Sequence, residues 1–187
     1  MRFIRLVLLG CIFASATAAA EDLSLCYRGW DATEVGQHQQ AIELFRACIK
    51  EGHLEQASLA QTYRNLGIAY RRNHQPAEAV AALNQSIALH PADVEQDYIN
   101  RGNAYDDLGD TTRALADYSS ALAIAPGNGE THYNRGIAYE RIRAFDKARA
   151  DFIAAYQAGL RTELLFDRMK IYGLTGANLP ASPPPSH

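Results

Sequence analysis

The segment YINRGNAYDDLGD, residues 98–110, decides the fold because it places a glycine, Gly102, inside a predicted helix. A glycine within a helix costs about 1 kcal/mol relative to alanine, and it is best tolerated where another chain segment passes too close for a side chain. Two related segments contain Gly67 and Gly136, which lie 35 residues before and 34 residues after Gly102. The glycine therefore belongs to a repeat.

Further columns of the repeat appear when the three segments are aligned on their glycines. They are Tyr70, Tyr105 and Tyr139; Ala79, Ala114 and Ala148; Leu83, Tyr118 and Phe152; and Ser86, Ala121 and Ala155. Within each unit, apolar residues follow helical spacing twice, and turn residues such as Gly109 and Asp110 separate the two runs. Each unit is therefore predicted to be a helix hairpin. A single hairpin cannot bury its apolar face, so the units must stack.

These columns resemble the tetratricopeptide repeat, a helix hairpin of about 34 residues. The pattern matches in units 60–93, 95–128 and 129–162. The resemblance implies an all-α fold, a right-handed superhelical solenoid of helix-turn-helix repeats, over residues 21–174.

Both ends of the predicted array depart from the repeat pattern. At the N-terminal end, residues 22–50 form a degenerate unit in which Gly29, Ala41, Phe45 and Cys48 match the pattern but Ala32 replaces the tyrosine. Terminal units of stacked arrays are often atypical. At the other end, residues 162–173 place apolar side chains along one side of a helix and are predicted to form a C-terminal capping helix.

Residues 1–20 have the pattern of a secretory signal peptide, with a basic start, a short apolar run and an A-x-A cleavage site. The apolar run is too short to span a bilayer. We therefore expect a mature chain that begins at Glu21, has no transmembrane segment, and acts in the periplasm or outside the cell. The segment Leu8-Leu9-Gly10-Cys11 resembles a bacterial lipobox, so a lipoprotein anchored through Cys11 is the alternative. A buried first helix is the third interpretation.

The charge and the C-terminal segment exclude some partner classes. Residues 21–187 carry a net charge of −5, since loss of Arg2 and Arg5 removes two positive charges from the −3 of the whole chain. This mild acidity, without a dense cluster of lysine and arginine, argues against a nucleic-acid partner. The proline-rich segment 175–187 has too little apolar content to pack and is predicted to be a disordered tail.

Cys26 and Cys48 are the two cysteines that remain after removal of the signal peptide. In an antiparallel hairpin, a residue early on the first helix and one late on the second lie at about the same level. Because disulfides persist in exported proteins, we predict a disulfide between Cys26 and Cys48. Two separate buried thiols are the alternative.

The sequence contains no arrangement of residues typical of catalysis. The six histidines lie in predicted turns and helix ends, without an i, i+4 pair or a nearby cysteine or aspartate, and are expected to be mostly solvated. No metal site or cofactor is therefore predicted. Because no Ser/His/Asp set, phosphate-binding glycine loop or isolated carboxylate pair is present, the chain is expected not to be an enzyme.

The first helices of a hairpin stack line its concave face, which is the usual binding surface of repeat arrays. The resemblance implies that six positions of each unit reach this face. In the unit 60–93 they are Gln61, Arg64, Asn65, Ile68, Arg71 and Arg72. In the unit 95–128 they are Gln96, Ile99, Asn100, Asn103, Asp106 and Asp107. In the unit 129–162 they are Glu130, Tyr133, Asn134, Ile137, Glu140 and Arg141.

The asparagine column at the sixth position, Asn65, Asn100 and Asn134, offers both donors and acceptors to the backbone of an extended peptide. Solvated asparagines, or asparagines that bond to each other between repeats, are the alternative. The arginines of the first unit and the acidic residues of the next predict a groove with a basic and an acidic part. Capture of a C-terminal carboxylate is not predicted, because Ile68 and Glu130 replace the polar and basic residues that such a site needs.

The leading hypothesis is a non-enzymatic, exported scaffold that binds another protein or a peptide through the concave groove. An accessory subunit of an envelope or polysaccharide enzyme is the first alternative, and a self-associating structural protein is the second. After four repeats and a cap, little chain remains for a catalytic domain.

Overall fold

The structure is a computed structural model, described here for residues 24–51, 54–89, 92, 94–175 and 178. The predicted signal peptide, the alternative lipid anchor at Cys11 and nearly all of the proline-rich tail lie outside these ranges. The chain divides into two compact units, Met1–Ala92 (unit 1) and Asp93–His187 (unit 2).

Within the described ranges the chain is helical and contains no strand, which confirms the predicted all-α class. In unit 1 the helices are α1 (24–34), α2 (His38–Glu51), α3 (Gln56–Arg72) and α4 (Pro76–Leu89). In unit 2 they are α5 (Glu95–Asp107), α6 (Thr111–Ile124), α7 (Gly129–Arg141), α8 (Phe145–Gln157) and α9 (Glu163–Ile171). The pairs α3 with α4, α5 with α6 and α7 with α8 form antiparallel hairpins.

Turn chemistry sets where the helices of unit 2 begin and end. After α5 the chain turns through Gly109 at a φ of 76°, a left-handed conformation that glycine adopts most readily. The side chains of Asp110 and Asn128 then accept hydrogen bonds from the backbone N–H groups of Arg113 and Thr131, both at 3.0 Å. These caps satisfy amide donors that the first helical turn leaves unpaired.

The repeated glycine lies where the first helix of a hairpin meets a large side chain of the second. A Cβ atom on Gly102 would lie 2.8 Å from Cε1 of Tyr118, which is 1% exposed. The same contact recurs between Gly67 and Leu83, Gly136 and Phe152, and Gly29 and Phe45. The structure therefore explains the glycine as predicted, and residues 24–51 repeat the same hairpin contact.

Each unit has its own core of small and large apolar side chains. In unit 1 the core consists of Ala32, Ala41, Ile42, Phe45, Leu66, Ala69 and Ala82. In unit 2 one core cluster consists of Ala148, Phe152, Ala155, Leu165, Met169 and Leu174. Helix α9 packs against α8 through Leu165 and Met169, both fully buried. Its role as a cap stays a prediction.

Two arginine–aspartate pairs join the helices of the hairpins in unit 2. Arg101 donates two hydrogen bonds to Asp117, at 2.8 and 2.7 Å. Arg135 donates two to Asp151, both at 2.8 Å. Both carboxylates are buried, and such bidentate contacts are strong. At the same repeat positions unit 1 has an apolar pair, Leu66 and Ala82.

His132 corrects one expectation from the sequence. Its Nδ1 lies 2.9 Å from Oδ1 of Asp151, and its Nε2 lies 3.0 Å from the carbonyl oxygen of Pro126. The side chain is only 15% exposed. The view that the histidines lack an aspartate partner is therefore wrong for His132, because hairpin formation brings Asp151 of α8 next to α7.

We predict that Gly102→Leu lowers the free energy of unfolding by about 1–3 kcal/mol, because the buried Tyr118 ring cannot make room for a side chain. The matched control is Gly127→Leu, since a Cβ atom on Gly127 has no neighbour within 4 Å. Thermal unfolding followed by circular dichroism measures both variants. Equal Tm values for Gly102→Leu and the parent would contradict the packing described here.

Asp151 predicts how stability changes in acid. Burial alone would raise its pKa, but the hydrogen bonds from Arg135 and His132 outweigh burial and hold the pKa below its ordinary value. A carboxylate with a lowered pKa stabilises the fold above its ordinary pKa of about 3.9, and this contribution is lost as the pH falls through the folded-state pKa.

We therefore expect Asp151→Asn to be about 1–3 kcal/mol less stable than the parent at pH 7. The difference should shrink between about pH 4 and pH 2, where the parent loses the contribution of this carboxylate. The control is Asp167→Asn, because Asp167 is exposed and its ion pair with Lys170 lies on the surface. Urea unfolding at a series of pH values measures the effect, and a constant difference across that series would contradict it.

Candidate functional site

The structure places the predicted groove residues on the first helices of the hairpins, and none of them is buried. Helix α3 carries Arg64, Asn65, Ile68, Arg71 and Arg72 in unit 1. In unit 2, α5 carries Ile99, Asn100, Asn103, Asp106 and Asp107, and α7 carries Tyr133, Asn134, Ile137, Glu140 and Arg141. Their role in binding stays a prediction, which the geometry of each unit supports to a different degree.

In unit 1 an open cleft of about 660 Å³ lies between α1 and α3. Its walls are Cys26, Tyr27 and Trp30 on one side and Leu54, Ala57, Ser58, Gln61, Thr62 and Asn65 on the other. A smaller cavity of about 80 Å³ is lined by Trp30, Thr33, Glu34, Asn65, Ile68 and Arg72. Because Trp30 and Asn65 line both cavities, the two are adjacent along α1 and α3, and we call them together the α1–α3 cleft.

Two large aromatic side chains in this cleft face solvent. Tyr27 is 67% exposed and Trp30, the one tryptophan of the chain, is 52% exposed. Tyrosine and tryptophan are the residue types that most often dominate the energy of protein interfaces. Two such rings side by side in a cleft therefore indicate a binding surface, whereas single exposed aliphatic residues are common on any protein surface.

The sequence prediction missed these residues because it did not extend the groove positions into the degenerate unit 22–50. The signal was available in the sequence. Counted from residue 22, the sixth, ninth, twelfth and thirteenth positions are Tyr27, Trp30, Thr33 and Glu34. Three of these four, Trp30, Thr33 and Glu34, line the smaller cavity.

Polar groups on α3 line the cleft opposite the aromatic rings. The side-chain oxygen of Asn65 accepts a hydrogen bond from Nε2 of Gln61 at 3.0 Å, and Oε1 of Gln61 accepts one from Nη1 of Arg64 at 3.1 Å. These two hydrogen bonds orient the side-chain amides of Gln61 and Asn65, so that the oxygen of each amide acts as an acceptor. The amide nitrogen of Asn65 has no acceptor among the described residues, so it remains able to donate to a ligand.

A disulfide between Cys26 and Cys48 fits the structure, with the two Cα atoms 5.5 Å apart. Cys48 is fully buried on α2, whereas Cys26 lines the cleft and its Sγ lies 3.3 Å from Oγ1 of Thr62 on α3. Among the buried residues of the unit 1 core, Ala32 is the one that α1 supplies. The cross-link therefore holds the helix that carries both exposed aromatic residues.

In unit 2 many polar groups on the first helices of the hairpins, α5 and α7, form hydrogen bonds or ion pairs within the unit. Oδ1 of Asn103 accepts hydrogen bonds from the hydroxyl group of Tyr118 at 2.8 Å and from Nδ2 of Asn134 at 3.2 Å. Asn134 thus bonds to an asparagine of the preceding repeat, although this is Asn103 and not another member of the predicted column, Asn65 or Asn100. Fewer donors and acceptors remain here for a partner.

The predicted acidic part of the groove is partly neutralised within unit 2. Asp106 forms an ion pair with Arg141, and burial raises its pKa while Arg141 acts in the opposite direction. Glu140 pairs with Arg168 at 3.1 Å and accepts a hydrogen bond from the hydroxyl group of Tyr172 at 3.0 Å. Burial and the bond to Glu140 raise the pKa of Tyr172 to about 12.

Residues 58–127 and residues 99–160 match two models described as tetratricopeptide repeat. The chain belongs to the tetratricopeptide repeat family. No curated protein sequence matches it at a significant level.

Several solved structures of tetratricopeptide repeat proteins are similar to the chain. The crystal structure of MamA has a TM-score of 0.66 and 26% identity, covering 73% of this chain and 77% of MamA. YrrB, described as having an unusual peptide-binding site, has a TM-score of 0.67 and 19% identity over 76% of this chain and 71% of its own. The second repeat domain of human RPAP3, solved with an HSP70 peptide, has a TM-score of 0.56 and 23% identity over 66% of this chain and 96% of its own. The last two likenesses show the fold alone.

Among the described residues, neither a membrane-spanning helix nor a cluster of metal-binding side chains is present. No helix there is both long and apolar enough to cross a membrane. No group of three or more His, Cys, Asp or Glu side chains in that part of the chain is placed to hold a metal ion. The exposed rings of Tyr27 and Trp30 beside an open cavity make the α1–α3 cleft the candidate site that the geometry supports best.

The cross-link predicts a redox-dependent stability of unit 1. Closing a loop of this length, in which Cys26 and Cys48 are 22 positions apart in sequence, stabilises a fold by about 3 kcal/mol on chain-entropy grounds. We expect dithiothreitol to lower the unfolding midpoint reported by Trp30 fluorescence. A variant with both cysteines changed to alanine is the control and should not respond to the reductant. An identical midpoint for the parent with and without reductant would show that the bond is absent.

Proposed function

We propose that this chain is a non-enzymatic scaffold that binds a partner protein or peptide. Binding occurs through the solvent-facing side of the first helices of its hairpins, which we call the first-helix face, and the α1–α3 cleft is the principal site. The observation that carries the proposal is the exposure of Tyr27 and Trp30 beside a cleft of about 660 Å³. Peptide binding by YrrB and by the RPAP3 domain supports this use of the fold.

The chemistry of the cleft suits an extended polypeptide. The rings of Tyr27 and Trp30, together with Leu54 and Ala57, offer an apolar surface for a side chain. On the opposite wall, the Asn65 amide can donate to a backbone carbonyl group of the ligand. An amide and a rigid aromatic surface together hold a peptide backbone while one side chain is desolvated.

Unit 2 supplies a second, weaker contact surface in this proposal. Asn100, Tyr133 and Ile137 are partly exposed on α5 and α7. Because Asn103, Asp106 and Glu140 already have internal partners, Asn100 is the polar group that we expect to contact the ligand.

We further propose that the protein acts in the periplasm or outside the cell. The pattern of residues 1–20 and the fit of the Cys26–Cys48 disulfide support this location, because disulfides persist in oxidising compartments. Mass spectrometry of the exported protein tests it: a mature chain beginning at Glu21 is expected. A lipid on Cys11 would instead establish the anchored form, and an uncleaved chain inside the cell would refute export.

Binding through the first-helix face predicts a graded response to mutation. With a partner isolated by affinity capture on the disulfide-bonded chain, Trp30→Ala should weaken binding at least tenfold, as expected for an aromatic anchor that the partner covers. Asn100→Ala should weaken it by about 1 kcal/mol, roughly fivefold. Isothermal titration calorimetry measures both effects.

The matched control is Arg149→Ala, because Arg149 is an exposed residue on the second helix of its hairpin. It should leave the affinity unchanged. Full affinity in both Trp30→Ala and Asn100→Ala would move the binding surface away from the first helices and refute the proposed function.

A further inference from the structure

The charges along the α1–α3 cleft are unevenly distributed. At the groove positions of unit 1, Arg64, Arg71 and Arg72 supply three positive charges, and Glu34 supplies one negative charge. Arg72 is exposed, lines the smaller cavity and has no carboxylate within ion-pair distance among the described residues. A ligand that places an anion there gains an electrostatic contact that the protein itself leaves unused.

The larger cavity and Arg72 lie at different levels along α3. Tyr27, Leu54 and Ala57 line the larger cavity, toward the beginning of α3, and Arg72 is the last residue of that helix. From Gln61 to Arg72 the helix rises about 16 Å, at about 1.5 Å per residue. An extended peptide covers this distance with about five residues, at about 3.3 Å each. Since an arginine side chain bridges several ångströms, a spacing of three to six residues fits.

We propose that the cleft selects an extended segment of a partner protein in which a large apolar side chain lies about three to six residues from an aspartate or glutamate. This inference rests on the proposed function and names the chemistry of its ligand. The apolar side chain packs between Tyr27 and Trp30, the backbone bonds to Asn65, and the carboxylate pairs with Arg72. Charge complementarity at Arg72 therefore decides between this ligand and a neutral apolar one.

Trp30 supplies a direct readout, because it is the one tryptophan of the chain. The probes are ten-residue peptides of glycine, serine and threonine with one phenylalanine and one aspartate, three to six residues apart. Their ends are acetylated and amidated, so the aspartate side chain is the sole carboxylate. Matched peptides replace phenylalanine by serine, or aspartate by asparagine or lysine. Each is titrated against the full-length, disulfide-bonded protein while Trp30 emission is recorded.

We expect the parent peptide at the best spacing to bind at least tenfold more tightly than the serine or asparagine peptide, and the lysine peptide to bind most weakly. Arg72→Glu should reverse this order and favour the lysine peptide. Arg149→Glu, the control at an exposed arginine elsewhere, should change nothing. Circular dichroism checks that both variants keep the parent Tm.

Four results would overturn the inference. If the asparagine peptide binds as tightly as the aspartate peptide and Arg72→Glu has no effect, the ligand is apolar without an acidic requirement. If binding survives replacement of phenylalanine by serine, the aromatic pocket is not the anchor. If no peptide changes Trp30 emission, the ligand chemistry is wrong. If neutral oligosaccharides of six sugar units change it instead, the rings stack on sugars.

These results are distinguishable from failure of the proposed function. That function fails when a captured partner binds Trp30→Ala and Asn100→Ala with full affinity. A partner that loses affinity on Trp30→Ala but is indifferent to Arg72→Glu overturns the acidic requirement and leaves the proposed function in place.

Discussion

The contact between a glycine on the first helix of each hairpin and a large side chain on the second is the constraint on which the structure depends. Where Gly102 meets Tyr118, the missing side chain lets a fully buried ring fill the space between two helices. The small residues of the hairpin then lie at the contact between its two helices, and the opposite side of the first helix is exposed to solvent. In residues 24–51 the same contact, between Gly29 and Phe45, positions α1 and therefore its exposed aromatic residues.

Much of the fold could be predicted because this constraint is local and recurs at a fixed spacing. The glycine, alanine and aromatic columns each report one steric requirement, and the level of Cys26 and Cys48 follows from the hairpin alone. The pair of Arg101 and Asp117 escaped prediction for a physical reason. The space it occupies is filled in unit 1 by Leu66 and Ala82, so the repeat position accepts either an apolar contact or a paired charge and shows no uniform column.

The site could be predicted less completely. Its α3 residues followed from the family pattern, but Tyr27 and Trp30 belong to a unit that departs from that pattern, and exposure cannot be read from spacing. Charge was also misleading, because Asp106 and Glu140 look available in the sequence yet pair with Arg141 and Arg168 in the structure. Which charges remain for a ligand depends on contacts between helices, and Arg72 of unit 1 has no carboxylate within ion-pair distance among the described residues.

The central claim is that the partner covers the α1–α3 cleft. Acrylamide quenching of Trp30, with and without the captured partner, tests this on the unmodified protein. Since Trp30 is half exposed and is the single tryptophan in the chain, the free protein should be quenched readily. A tryptophan-free segment of the partner should lower the quenching constant severalfold. An unchanged quenching constant at saturating partner would contradict the account.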